Sequence, residues 1–277
     1  MRCWQCNLLQ AQALLQESLR LCRAICILLF MKQTILFSLL VGLAGPVAAQ
    51  HTEYSGRAGL GLFWFGGHGA EAVSSVSYYA DNLGTGPNGS ISNPYGRKVG
   101  TGFTLGGRMQ HVSQGNGLTT LDIGYDRMRS RAAVKQVDYS PSPYSSAYIG
   151  TYTADGTTNL VTQNLTVFLG AGHRFQVGAV NLDLLAGPEA AYVFGMKNKG
   201  SGSFDYNNGT PWKVNQESYK ENRGDFRLHA EITAWYQRVG ITAGYAHGLV
   251  SYRGGQYGNN ESVYSRTLRL GMIYRVQ

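Results

Sequence analysis

From Tyr54 onward the chain alternates apolar and polar positions with a two-residue period, and no stretch shows a convincing 3.6-residue apolar period. Clusters of Gly, Asn, Ser and Pro bound the alternating runs, which is the grammar of β-strands and turns. The first run places Tyr54, Ala58, Leu60, Leu62 and Trp64 on one face and Ser55, Arg57, Gly59, Gly61 and Phe63 on the other. The second sets Val99, Phe103, Leu105 and Met109 against Gly100, Gly102, Thr104, Arg108 and Gln110. Leu121, Ile123 and Tyr125 oppose Asp122, Gly124 and Asp126 in the third; Leu165, Val167, Leu169 and Ala171 oppose Asn164, Thr166, Phe168 and Gly170 in the fourth. A fifth run extends from Val180 to Phe194 and is interrupted by Pro188. The sixth sets Phe226, Leu228, Ala230, Ile232, Ala234 and Tyr236 against Arg227, His229, Glu231 and Thr233. Ile241 to Leu249 and Val263 to Val276 complete eight predicted strands.

The connections alternate in length. Polar stretches of about 25 to 30 residues join strands one to two, three to four and five to six, whereas turns near Asn116, Gly178 and Arg238 are short; this asymmetry marks outer-membrane barrels. Three strands carry aromatics ten residues apart on the apolar face: Tyr54 with Trp64, Phe226 with Tyr236, and Tyr264 with Tyr274. Ten residues rise roughly 33 Å, and a tilt of about 40° brings this to about 25 Å, the height of the apolar band between aromatic girdles. The expected fold is therefore all-β, an eight-stranded antiparallel transmembrane β-barrel with long extracellular loops and short periplasmic turns.

If apolar faces meet lipid, the opposite faces line the lumen. They gather Arg57, Lys98, Arg108, Arg227, Arg269 and Arg275 with Asp122, Asp126, Asp183, Glu189 and Glu231. An eight-stranded barrel is only wide enough for its own side chains, so these charges are expected to pair rather than line a pore. Pro188 predicts a bulge or bend, because it removes a ladder hydrogen bond. Arg266 shares parity with Tyr264 and Leu268 and is expected to face outward, near an interface.

Composition supports this reading. Only 14% of the 277 residues are charged and 37 are glycine, while the formal net charge is +8. The basic residues are scattered, without the single-face clustering of nucleic-acid binders. All four cysteines (Cys3, Cys6, Cys22, Cys26) precede residue 27, and neither Cys3-x-x-Cys6 nor Cys22-x-x-x-Cys26 is read as completed to a metal site by further ligands. Met31-Lys32, the apolar run Ile35 to Leu43 and Val47-Ala48-Ala49 have the three parts of a secretory signal. The expected organisation is a non-native upstream extension over 1–30, a signal peptide over 31–49 and the barrel over 50–277, directed to the outer membrane.

Catalytic motifs are sparse. His229 and Glu231 share an inward face and His173 neighbours Arg174, yet no G-x-S-x-G accompanies either histidine, so no enzyme is expected and no cofactor or metal is implied. The long connections are rich in aromatics: Tyr78, Tyr79 and Tyr95; Tyr139, Tyr144, Tyr148 and Tyr152; Phe204, Tyr206, Trp212 and Tyr219. A structural or loop-mediated binding role is the leading expectation, with a small-solute channel next and a lipid-modifying enzyme third.

Leu185-Ala-Gly-Pro-Glu-Ala-Ala-Tyr192, Gly244-Tyr-Ala-His-Gly-Leu249 and Ser265-Arg-Thr-Leu-Arg-Leu-Gly-Met-Ile-Tyr274 resemble the PorT-like outer-membrane β-barrel proteins of Gram-negative bacteria. The resemblance implies insertion by the barrel-assembly machinery, outer-membrane lipid as surroundings, and no single activity. The expected partners are thus membrane lipid, that machinery and an extracellular ligand or protein at the loops, with no nucleic acid; the barrel itself is expected to be monomeric.

Overall fold

A computed structural model describes residues 49–79, 89–140, 150–217, 223–253 and 262–276. The expected extension and signal segment, with the four cysteines, lie outside the described residues, as do Tyr144, Tyr148 and Tyr219. Among the described residues eleven strands form one sheet: β1 (Ala49–Gly66), β2 (Val73–Tyr79), β3 (Gly89–Ile91), β4 (Lys98–Ser113), β5 (Gly117–Ser140), β6 (Gly150–Val177), β7 (Val180–Phe204), β8 (Thr210–Glu217), β9 (Gly224–Tyr236), β10 (Val239–Gly248) and β11 (Tyr264–Arg275). Eight of them close a ring, β1-β4-β5-β6-β7-β9-β10-β11, and β11 returns antiparallel onto β1 from Ser55↔Arg275 to Gly66↔Tyr264. Closure removes both sheet edges, so every ring strand has two neighbours.

The predicted faces hold in every ring strand. Leu60, Leu105, Ile123, Leu165, Leu184, Leu228, Ile241 and Met272 are exposed on the outer wall, whereas Arg57, Arg108, Asp122 and Arg227 are buried inside. A soluble protein of this size has no use for such a belt of exposed large apolar side chains; a bilayer does. The six expected girdle residues stand on this wall, with Tyr54, Phe226, Tyr236 and Tyr274 exposed and Trp64 and Tyr264 half-buried. The lower ends align in register as Tyr236, Val239 and Tyr274 on adjacent strands. Rings also approach near the upper margin, Phe103 to Tyr125 at 5.8 Å and Tyr125 to Phe194 at 5.9 Å. Short turns join β4 to β5, β6 to β7 and β9 to β10, and each uses a left-handed residue: Asn116 (φ 60°), Gly178 (φ 61°) and Gln237 (φ 55°), of which glycine pays no side-chain penalty and asparagine little.

Three expectations need correction. The strands run further into the long connections than alternation indicated: β5, β6 and β7 extend over 24, 28 and 25 residues and rise above the ring, where β2, β3 and β8 join them. β2 pairs parallel to β5, β3 pairs with β2, and β8 pairs with β7. Pro188 causes no register shift. It faces outward, stays opposite Leu228, and its missing donor coincides with a gap in the β6 ladder between Phe168↔Glu189 and Ala171↔Ala186. The shift falls higher on β7, where Gln163↔Gly195 gives way to Asn164↔Val193 and Phe194 is the additional residue. Finally, Lys98 is exposed at the upper end of β4 and takes no part in the lumen.

Candidate functional site

The interior is layered upward from the rim that holds Ala49 and Val276. In the lowest layer Arg174 donates bidentately to Asp183 (Nε to Oδ1 2.7 Å, Nη2 to Oδ2 2.8 Å) and through Nη1 to Glu53 at 2.8 Å. Gln110 and the Trp235 indole also donate to Asp183, at 2.8 and 2.9 Å. Arg275 reaches Glu53 at 3.0 Å and lies 4.2 Å over the Trp235 ring.

In the middle layer Arg108 donates bidentately to Asp122 at 2.8 and 2.7 Å and also to Glu231. Arg57 joins the same two carboxylates, at 2.9 Å from Asp122 and 3.1 Å from Glu231. The upper layer clamps Arg269 between Glu189 (2.7 and 2.8 Å) and Asp126 (2.6 Å). Arg227 donates to Asp225 at 2.8 Å and Glu189 at 3.1 Å. Asp225 accepts further from Ser265 Oγ at 2.8 Å and Tyr252 Oη at 3.0 Å. Planar guanidinium forks matched to carboxylates are the strongest pairing available to such groups, and they offset the cost of removing these charges from water.

The ten residues expected to meet in the lumen all lie in this arrangement. Sequence reasoning missed three members: Glu53, Arg174 and Asp225. Parity contained the signal for each, since Glu53 shares a face with Arg57, Arg174 with Gly170, and Asp225 with Arg227. The observed census is six guanidiniums (Arg57, Arg108, Arg174, Arg227, Arg269, Arg275) against seven carboxylates (Glu53, Asp122, Asp126, Asp183, Glu189, Asp225, Glu231). His229 lies between two of the latter, with Nδ1 2.9 Å from Glu189 and Nε2 3.9 Å from Glu231. Phe168 covers the imidazole at 4.4 Å, and a Cβ at Gly244 would stand 2.8 Å from Nε2. His229 is wholly buried. His173 points outward against Phe175, ring to ring at 4.7 Å, away from Arg174.

Above the charges the lumen face turns apolar. Phe63 and Phe65 of β1 pack edge-on at 4.9 Å, and Phe65 meets Tyr95 at 5.2 Å and Tyr252 at 5.0 Å. With Met128, Leu160, Val193, Met196 and Val263 they form a buried plug across the upper lumen. A second core lies beyond it, among Val76, Ile91, Val134, Val137, Ala154, Phe204, Trp212 and Val214. This upper core sits between the extensions of β5, β6 and β7 and the short strands β2, β3 and β8. Its anchor is Trp212, seated on glycines: a Cβ at Gly200 or Gly202 would lie 2.9 Å from the indole. Tyr78, Tyr139, Tyr152 and Tyr206 gather around Phe204 at one margin of this core, with Tyr139 and Tyr206 5.0 Å apart. Burial, and then the neighbouring phenols, push the Tyr139 hydroxyl pKa up.

Similarity to known proteins is confined to the fold. No family model matches the chain. No curated protein is significantly similar to it. Among solved structures the chain resembles Ail, the attachment invasion locus protein of Yersinia pestis, at 14% identity over 82% of this chain and 99% of that one, with a TM-score of 0.34. Neisserial surface protein A is similar at 12% identity over 81% and 99%, with a TM-score of 0.33. OprG from Pseudomonas aeruginosa follows at 10% over 83% and 98%, with a TM-score of 0.29. Likeness this distant adds nothing to the geometry. The closed eight-membered ring, its short turns on one rim and its exposed apolar belt are by themselves the architecture of an outer-membrane β-barrel.

Proposed function

We propose that this chain is a monomeric outer-membrane barrel that does not conduct, and that its role resides in the folded cap carried on its extracellular side. One observation carries the reading. A lumen filled by paired charges is closed from above by an apolar plug, and the same three ring strands continue into a cap with its own buried core. A channel would need a continuous wet path; paired charges across the axis and the Phe63-Phe65 plug oppose one. The enclosure of His229 argues against a lipid-modifying enzyme.

Rigid aromatic surfaces suit binding, because they offer contact area at low entropic cost, and the tyrosines around Phe204 fit that description. The role is therefore structural or interaction-based, with a protein or ligand outside the cell as the partner class. A signal over 31–49, a start at Met31, insertion by the barrel-assembly machinery and kinship with PorT-like proteins belong to the same proposal, and rest on the sequence segments quoted above.

Two measurements test it. In an unboiled gel of the detergent-extracted protein, a faster band that shifts on boiling is expected for a closed barrel. In planar bilayers the wild-type protein is expected to give no steady conductance. A stable open level at moderate voltage would replace this reading with the channel.

A further inference from the structure

Along the outer face of β5 the residues read Leu121, Ile123, Tyr125, Arg127, Arg129, Arg131, an apolar, then aromatic, then cationic succession on one strand. All three arginines are exposed. In register, Arg127 lies beside Phe103 of β4 and Gln163 of β6, and Arg131 lies beside Lys98 and Asn159. One strand further, Lys199 stands opposite Asn159 and Lys197 opposite Val161. Six cations on β4, β5 and β7 thus flank the outer wall of β6, immediately above the Phe103-Tyr125-Phe194 rings.

Among the described residues only one of the six is neutralised. Lys197 pairs with Glu217 at 3.0 Å, whereas among the described residues no carboxylate stands within ion-pair distance of Lys98, Arg127, Arg129, Arg131 or Lys199. Two residues of strand rise about 6.6 Å, or about 5 Å along the normal at a tilt near 40°. The arginines therefore climb in steps of about 5 Å from the aromatic girdle through a headgroup layer that is roughly 5–8 Å deep. The opposite wall differs: there Trp64, Tyr245, His247 and Tyr264 share the same level with the single Arg266.

We propose that this collar is a binding site for the phosphate groups of the outer-leaflet glycolipid, with Arg127, Arg129 and Arg131 as its principal ligands. This deepens the outer-membrane reading and rests on it. Guanidinium forks suit phosphate oxygens bidentately, and their stems can lie along the acyl region below. Glycolipid is the chosen source because the collar sits on the side remote from the short turns, where the outer leaflet carries phosphorylated sugars. The site fixes one wall of the barrel to immobile lipid, and so orients the cap above the surface.

The test uses the full barrel in zwitterionic detergent, titrated with bisphosphorylated lipid A or its dephosphorylated form and followed by native mass spectrometry. Phosphorylated lipid A is expected to stay bound, to weaken with added salt and to resist competition by phosphatidylglycerol; the dephosphorylated form is expected not to bind. The triple variant Arg127→Gln, Arg129→Gln, Arg131→Gln is expected to bind about a hundredfold more weakly, since each basic residue at an anionic surface contributes about fivefold. Equal binding of the two lipid forms overturns the proposal, as does an unchanged triple variant or displacement by phosphatidylglycerol at equal concentration. If the variant fails to fold, the wild-type comparison of the two lipid forms decides alone. A sample without a heat-modifiable band speaks against the membrane reading itself, whereas a heat-modifiable barrel indifferent to phosphate sinks only the collar.

Discussion

The lumen and the outer wall of β5 contain the same residue type in opposite circumstances. Inside, Arg108 and Arg269 are each clamped by two carboxylates and shielded from water. Outside, Arg127, Arg129 and Arg131 stand exposed, with no acid of the described residues within ion-pair distance. A charge drawn out of water without a partner is very costly, so the interior had to place an acid at every arginine. An interfacial charge carries little such cost, and the collar is left open to neutralisation by its surroundings. Pairing within the fold therefore separates arginines that hold the barrel together from arginines that can meet something else.

The sharpest way to break this contrast is to remove one partner inside. Arg108→Met leaves Asp122 and Glu231 to share Arg57 alone, two buried carboxylates against one cation, and is expected to cost about 3–5 kcal/mol, read as a lower urea midpoint for the vesicle-inserted barrel. Arg127→Met on the outer wall should change that midpoint by no more than about 1 kcal/mol. Equal effects at the two sites would erase the distinction.

The cap should respond separately from the barrel. Trp212→Ala removes the largest side chain of the upper core and is expected to destabilise the cap by about 3–5 kcal/mol. Protease should then cut within β8 while the heat-modifiable band persists. Loss of both together would show that ring and cap fold as one unit.

The smallest effect is expected at an exposed pair on the cap. Lys135 lies 2.8 Å from Asp155 and holds its carboxyl below the usual range. A depressed folded-state pKa means a contribution present above the unfolded value and lost as pH falls through the folded one. Because both partners are in solvent, Asp155→Asn should leave the melting temperature unchanged at neutral pH. A drop comparable to that of Trp212→Ala would mean that surface pairs matter here as buried ones do.

Two-residue alternation determined much of this protein. Because side chains on a strand alternate strictly, Leu60, Leu105 and Leu228 could be assigned to lipid and Arg57, Asp122 and Glu231 to the interior without coordinates. The same parity, extended to the strand ends, would also have placed Glu53 and Arg174 inside. Parity is a local property, however, and it says nothing about how far a strand continues once its surroundings change from lipid to water. Beyond Arg131 the outer positions of β5 are polar, so alternation of apolar with polar fades while the ladder to β6 persists to Tyr139↔Gly150. The cap was illegible for that reason. Its strands β2, β3 and β8 are short, and β2 joins β5 in parallel across a long sequence separation.

Partner choice was likewise beyond the sequence. Arg57 meets Glu231 across 174 residues because β1 and β9 face one another over the axis of the ring, and only closure brings those walls together. The sequence determined which faces carry charge, through a period set by backbone geometry. The tertiary structure decided which charges meet and which remain free, because electrostatic pairing depends on distances that only the closed ring defines.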